Sequence, residues 1–151
     1  MAVSRAQRML SLWLCRLATD RIAKLCKTSR EASPAPLAVY GRRGNADVLT
    51  AVDDAAARLG LHPSLALTQA RAMHPALDVV PEDAGADAQL LDGIADWCLR
   101  YTPLVACDAP DGLLLDITGC AHLYGGEKAL IADLSARLAQ ANLAFSIAVA
   151  G

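Results

Sequence analysis

A hairpin between two helical segments is the feature that most constrains this chain. Residues 104–107 and 112–118 are short apolar segments, and Ala109-Pro110-Asp111-Gly112 between them has the composition of a tight turn. Apolar residues at helical spacing precede the hairpin at 84–101 and follow it at 126–141. Further strands are predicted at 9–14 and 145–150. This order predicts an α+β domain of the ferredoxin-like, split βαβ type.

The segment between the first strand and the long helix predicts additional small elements. A helix is expected at 17–27, then a linker at 28–35. Asp53 is expected to cap one short helix that stops at Gly60, and Ser64 to cap another that ends before His74-Pro75. The remaining predictions are strands at 36–40, 48–52 and 77–80, and a loop at 42–47. We expect a small, mostly helical insertion at 42–76, and the final apolar strand suggests a fragment, truncated at its C-terminus.

Composition narrows the class of protein. With 54% hydrophobic residues and a mean hydropathy of +0.30, the 151 residues can form a core. The net charge is −2, which argues against an overall basic surface for nucleic acid. Residues 1–60 nevertheless carry net +5 and residues 61–151 net −7, so the first part either approaches phosphate or is a solvated face. Five cysteines without a CxxC and no long apolar run favour a cytoplasmic protein with no membrane association.

Residue types alone indicate no active site. Asp111 and Asp116 would point to opposite faces of a strand, whereas Asp108 and Asp111 would approach each other across the turn. Gly125-Gly126 either presents amides to an anion or simply forms a loop, and Arg42-Arg43 either binds phosphate or is solvated. Asp53-Asp54 suits a helix N-terminus.

Several segments, taken in order, resemble the Y-family (UmuC/DinB-type) translesion DNA polymerases. They run from Pro36 to Gly41, Val48 to Ala51, Ala57 to Leu61, Arg100 to Pro103 and Leu115 to Thr118. The resemblance covers residue 8 to the end. It implies a palm at 8–41 and 77–151 and a fingers-like insertion at 42–76.

The departures from this family concern its chemistry. Where the resemblance implies a metal-binding Asp-x-Asp, this chain has Leu12-Trp13-Leu14, with Leu12 at the first carboxylate. Arg16 and Leu17 replace the aromatic steric gate, and Asp54 and Ala57 replace the Tyr and Arg that contact the triphosphate. Ser-x-Asp-Glu becomes Ala109-Pro110-Asp111-Gly112. We therefore expect no catalytic or nucleotide-binding residues, no cofactor and no metal site, with Asp111 as a vestigial ligand.

Residues 10–14, 16–20 and 115–123 resemble the non-catalytic ImuB-like branch in particular. That resemblance implies an adaptor in DNA repair and error-prone translesion synthesis after DNA damage. Its partners would be a sliding clamp, an error-prone replicative-type polymerase and a RecA-like accessory protein, bound mostly outside this chain, with weak contact to damaged DNA. The alternatives are an active translesion polymerase fragment and an unrelated ferredoxin-like binding domain.

Overall fold

A computed structural model describes residues 6–25 and 35–151. The chain divides into two compact units, one formed by Met1–Cys15 with Gly85–Gly151 and the other by Arg16–Ala84. Besides a 3-10 turn at Ala121–Tyr124, the elements in chain order are β1 (Met9–Trp13), α1 (Leu17–Leu25), β2 (Leu37–Arg43), β3 (Ala46–Val52), α2 (Asp54–Arg58), α3 (Leu67–Met73), β4 (Asp78–Pro81), α4 (Ala84–Cys98), β5 (Val105–Asp108), β6 (Gly112–Asp116), α5 (Glu127–Gln140) and β7 (Ser146–Ala150).

The first unit contains a four-stranded sheet in the order β5-β6-β1-β7. Every neighbouring pair is antiparallel. Strands β1 and β5 are therefore parallel to each other with β6 between them, and β6 and β7 are parallel with β1 between them. Helix α4 lies in the first of these connections and α5 in the second. This arrangement is the predicted split βαβ topology, and the α+β fold class is confirmed.

The alternation of side chains along the strands gives this sheet one buried and one open face. Leu10 and Leu12 on β1 and Leu113 and Leu115 on β6 are each 0% exposed, whereas Ser11 and Trp13 are exposed. The helices bury residues at three- and four-residue spacing: Leu91, Ile94 and Cys98 on α4, and Leu130, Leu134 and Leu138 on α5.

Two details of the predicted helices are wrong. The apolar spacing at 126–141 predicts that Ala129 and Ala139 also face inward, but both are exposed, because α5 buries only the row formed by Leu130, Leu134 and Leu138. Helix α4 ends at Cys98 rather than at residue 101, since residues 99–101 form a turn whose amides bond to carbonyls three residues back.

The second unit contains a three-stranded sheet in the order β3-β2-β4, with β2 antiparallel to β3 and parallel to β4. Its core is formed by small and aliphatic side chains from the strands, α2 and α3. The predicted cap is confirmed, since Asp53 accepts a hydrogen bond from the Ala56 amide at 2.8 Å. Most of the predicted linker 28–35, and the end of the predicted helix 17–27, lie outside the described residues.

The predicted loop at 42–47 is instead a tight hairpin. Strand β2 continues through Gly41 to Arg43, and only Gly44 and Asn45 separate it from β3. Gly44 has φ +64° at the first central position, where a type II′ turn requires glycine. The range 42–76 thus contains strand β3 as well as α2 and α3.

The predicted N-cap at Ser64 is also wrong. Helix α3 begins at Leu67 after Ala66, and Ser64 adopts φ +78°. The Ser64 amide instead donates to the Leu49 carbonyl, and the Leu49 amide donates to the Leu65 carbonyl. Pairing with β3 therefore determines this conformation in place of helix capping.

Candidate functional site

The predicted vestigial ligand Asp111 lies where β6 begins, beside the end of β1. Trp13 is directly opposite Gly112 in the β1–β6 register, and the Leu14 amide donates to the Asp111 carbonyl at 2.8 Å. The sheet thus brings together the two segments that the family resemblance associates with metal binding.

The side chain of Trp13 lies at this end of the sheet, beside Asp111. The residue is 53% exposed on the open face, and its indole Nε1–H donates to Asp111 Oδ2 at 3.1 Å. The indole N–H is only a donor, so the side chain of Trp13 has no atom that can ligate a metal ion. One oxygen of the Asp111 carboxylate is therefore engaged by a neighbour that cannot share a metal with it.

The register shows which face of the sheet each residue of this stretch occupies. Leu12, which the resemblance places at the first carboxylate, is 0% exposed and pairs with Leu113 on the buried face, and Leu14 is likewise 0% exposed. A carboxylate at either position would point into the core. Trp13 is the residue of this stretch whose side chain lies on the face of Gly112. The resemblance implied the three-residue stretch, and the pairing shows which of its residues lies opposite Gly112.

Gly112 lies in a space too small for a side chain. A Cβ atom built on it would lie 2.9 Å from the Asp108 carbonyl oxygen and 3.3 Å from the Asp108 Cβ. Any other residue at this position, including the family's Glu, would require the turn to move. Asp108 is thus packed over Gly112, and its predicted approach to Asp111 stays a prediction.

Asp116 belongs to the far end of β6. It pairs with Met9, accepts from the Thr118 amide at 3.0 Å and lies 3.4 Å from Gln7 Nε2. The hydrogen bonds from Thr118 lower the pKa of Asp116 below its ordinary value. Asp116 therefore stabilises the turn after β6 and does not join Asp111. Within the described ranges, 6–25 and 35–151, no three His, Cys, Asp or Glu side chains are grouped to hold a metal ion.

The second unit contains the positions at which the family resemblance implies contacts to a nucleotide. Asp54 forms an ion pair with Arg58 one turn along α2, at 2.5 Å. Ala57 is on the same helix. At the steric-gate segment, Arg16 Nη1 donates to the Val52 carbonyl at 2.6 Å and Leu17 is buried. The side chain of Arg16 thus links the start of α1 to the end of β3 by a hydrogen bond.

The arginine pair of the hairpin is engaged by acidic residues. Arg43 donates from both guanidinium nitrogens to Glu82, at 2.8 and 3.0 Å, and Arg42 lies 3.7 Å from Asp47. The bond from Arg43 lowers the pKa of Glu82. A Cβ at Gly41 would lie 2.3 Å from Glu82 Oε1, so glycine makes the space for this bridge. This pairing joins residues 39 positions apart, and no sequence signal indicated it.

The other residues considered from the sequence have structural positions. Gly126 precedes α5 without a side-chain cap, and its amide donates to the Ala121 carbonyl. His62 lies near the backbone carbonyl of Pro63, and His74, at the end of α3, lies near that of Leu59. His122 lines a shallow depression with Arg8 and Glu127, which form a bidentate pair at 2.7 and 3.0 Å.

The sequence matches the impB/mucB/samB family (IMS) over residues 23–151, which is most of the chain. The chain belongs to this family.

Curated relatives of this IMS chain fall into two groups. Protein ImuB of Caulobacter vibrioides is 46% identical over 82 residues, which cover 54% of this chain and 18% of that protein. DNA polymerase IV of Serratia proteamaculans is 30% identical over 98 residues, 65% of this chain and 28% of that protein. The chain therefore matches less than a third of the length of these relatives.

Solved structures agree with the fold. DinB from Sulfolobus solfataricus superposes with a TM-score of 0.75 and 15% identity, covering 95% of this chain and 42% of that chain. An insertion ternary complex of Dbh DNA polymerase gives 0.74 with 14% identity, covering 95% and 42%. The predicted resemblance to the N-terminal region of Y-family polymerases, near ImuB, is confirmed. In the described part of the chain no helix has the length and apolarity to cross a membrane.

Proposed function

We propose that this IMS chain is part of a non-catalytic Y-family relative that acts as an adaptor in DNA repair and error-prone translesion synthesis in the cytoplasm. The observation that carries the proposal is the hydrogen bond from Trp13 to Asp111 at the edge where the family's carboxylates are expected. The similarity to ImuB over 82 residues supports a role in the response to DNA damage.

The residues at this edge do not fit the magnesium ions that the family resemblance implies. Two-metal phosphoryl transfer requires several carboxylates around ions about 3.5–4 Å apart. Here Asp111 has one oxygen engaged by the indole, Gly112 has no side chain, and Trp13 is a donor. These residues therefore favour a role without metal-dependent phosphoryl transfer.

The second unit also lacks positive charge at the two positions where the family resemblance implies contacts to the triphosphate. Asp54 carries a negative charge, which repels phosphate, and its cationic neighbour Arg58 already pairs with it. Ala57 has no polar side-chain atom. These positions support the proposal that no nucleotide site is retained.

The partners we propose are a sliding clamp, an error-prone replicative-type polymerase and a RecA-like accessory protein. They would bind mostly through segments of the whole protein that this chain does not include. Residues 61–151 carry net −7, so direct binding of damaged DNA by this part would be weak.

Two assays of the full-length protein test the proposal. Primer extension with Mg²⁺ and all four deoxynucleoside triphosphates should give no product. In cells, Asp111→Ala should leave damage-induced mutagenesis unchanged at a normal protein level. The matched control is Leu115→Asp, which places a charge in the core and should abolish both protein level and mutagenesis. Templated extension that Asp111→Ala removes would identify an active polymerase and overturn the proposal.

A further inference from the structure

We propose that the free edge of β5 binds an extended segment of a partner protein, with basic and apolar residues in alternation, as an added strand. This site lies on a different strand from the contact between Trp13 and Asp111. The proposal is independent of the adaptor role proposed above.

Strand β5 is an edge of the four-stranded sheet, and within the described residues it pairs with β6 alone. The Asp116 amide donates to the Leu104 carbonyl, so Leu104 and Asp116 form a hydrogen-bonded pair of the antiparallel ladder. Residues 104, 106 and 108 therefore bond toward β6, and the intervening Val105 and Cys107 direct their backbone N–H and C=O groups away from it. These groups are the ones that an added strand would pair with.

The helix side of this edge is acidic. Cys107 is exposed, and its thiol lies 3.5 Å from Asp92 Oδ1 on α4. The pKa of the Cys107 thiol is raised, first by burial and then by the nearby carboxylates of Asp92 and Asp96. Both carboxylates therefore lie near the strand. Helix α4 has no Lys or Arg within Ala84–Cys98. Side chains of an added strand that point to this side would meet negative charge, which favours Lys or Arg.

The opposite side of the edge is apolar at Leu104 and Ala106, and the exposed Asp108 follows on the same side where β5 ends. Leu104, which precedes β5, is 61% exposed, and Ala106 is also exposed and pairs with Leu114 on the open face. Since side chains of a strand alternate between faces, the bound segment would present basic residues to Asp92 and Asp96 and apolar residues to Leu104 and Ala106. A nucleic acid would be repelled by the carboxylates, so the surface favours a protein segment.

The test uses a fluorescein-labelled peptide of about eight residues in which Lys and Val alternate. Fluorescence anisotropy with the intact chain should show saturable binding, and the peptide should slow alkylation of Cys107, measured by mass spectrometry. Asp92→Asn with Asp96→Asn should weaken binding about tenfold. The control pair Asp47→Asn with Asp78→Asn makes the same charge change in the other unit and should leave the affinity within about twofold.

A second peptide of the same sequence, N-methylated at alternate residues, separates strand addition from simple charge attraction. It keeps every charge but lacks the backbone donors on one edge, so it should lose most of the affinity. Equal binding of both peptides, an equal effect of the two charge pairs, or no binding to the folded chain would each overturn the proposal.

Discussion

The indole of Trp13 donates to the carboxylate of Asp111 at 3.1 Å, across the pair in which Trp13 faces Gly112. The indole of Trp13 offers no ligand atom to a metal ion, Gly112 has no side chain, and one oxygen of the Asp111 carboxylate is engaged by Trp13. At this end of the sheet the family resemblance implies carboxylates, and we propose that the contact between Trp13 and Asp111 takes the place of a metal site.

The Trp13–Asp111 contact should be measurable as a coupling energy. In a double-mutant cycle of Trp13→Phe and Asp111→Asn, chemical denaturation should give a coupling of about 0.5–1 kcal/mol, the net value of a single partly exposed hydrogen bond. Trp13→Phe retains the aromatic ring and removes the donor. A coupling near zero would mean that the contact contributes nothing in solution.

Gly112→Ala should destabilise the first unit by roughly 1–3 kcal/mol, because the new methyl group would lie 2.9 Å from the Asp108 carbonyl oxygen. The matched control is Gly93→Ala on α4, where a Cβ meets nothing within 4 Å. That change should stabilise the helix by about 0.5–1 kcal/mol. Thermal unfolding of both variants checks this, and a Gly112→Ala variant as stable as the unaltered chain would contradict the tight turn.

Leu115→Asp should prevent folding of the first unit. Leu115 is 0% exposed, and an unpaired carboxylate there costs several kcal/mol, comparable with the total stability of about 5–15 kcal/mol expected for a domain. Leu114→Asp changes the next residue, which is half-buried on the open face, and should retain a cooperative transition. Circular dichroism melts distinguish the two variants. The reverse order of stability would mean that the faces of β6 are assigned wrongly.

Acid should destabilise the fold, because it protonates carboxylates that accept hydrogen bonds from arginine in the folded chain. The hydrogen bond from Arg8 lowers the pKa of Glu127 below its ordinary value, as Arg43 does for Glu82. The unfolded chain therefore takes up protons first as pH falls, so this stabilisation is present above about pH 4.5 and is lost as pH decreases through the folded-state pKa. Melting temperatures between neutral pH and about pH 3 should fall less steeply for Glu127→Gln. An unchanged slope would contradict a contribution of this pair.

The fold was largely predictable because its signals are local. The turn residues around Pro110, the apolar strands and the helical spacing of Leu130, Leu134 and Leu138 each specify an element, and the chain order then restricts the topology. The errors arose where tertiary contacts decide. Ser64 was expected to cap a helix but bonds to β3, and Gly41 was expected to end β2 but makes room for Glu82 from a distant segment.

The candidate site was predictable only in part. The family resemblance pointed to Asp111 and to the stretch around Trp13, since those depend on motif order. It named Leu12, whose side chain lies on the buried face, because a one-residue shift in a strand exchanges its faces and no sequence signal shows which residue of the stretch faces outward. The hydrogen bond from Trp13 could not be predicted, since it joins residues 98 positions apart.

The most direct test of the central claim is calorimetric titration of the folded chain with a deoxynucleoside triphosphate in the presence and absence of Mg²⁺. A cooperative melt of the same sample establishes that it is folded. We predict no magnesium-dependent heat, because Trp13 and Gly112 supply no ligand and Asp111 is engaged by the indole. Saturable magnesium-dependent binding that Asp111→Asn abolishes would contradict the account and restore a nucleotide site to this fold.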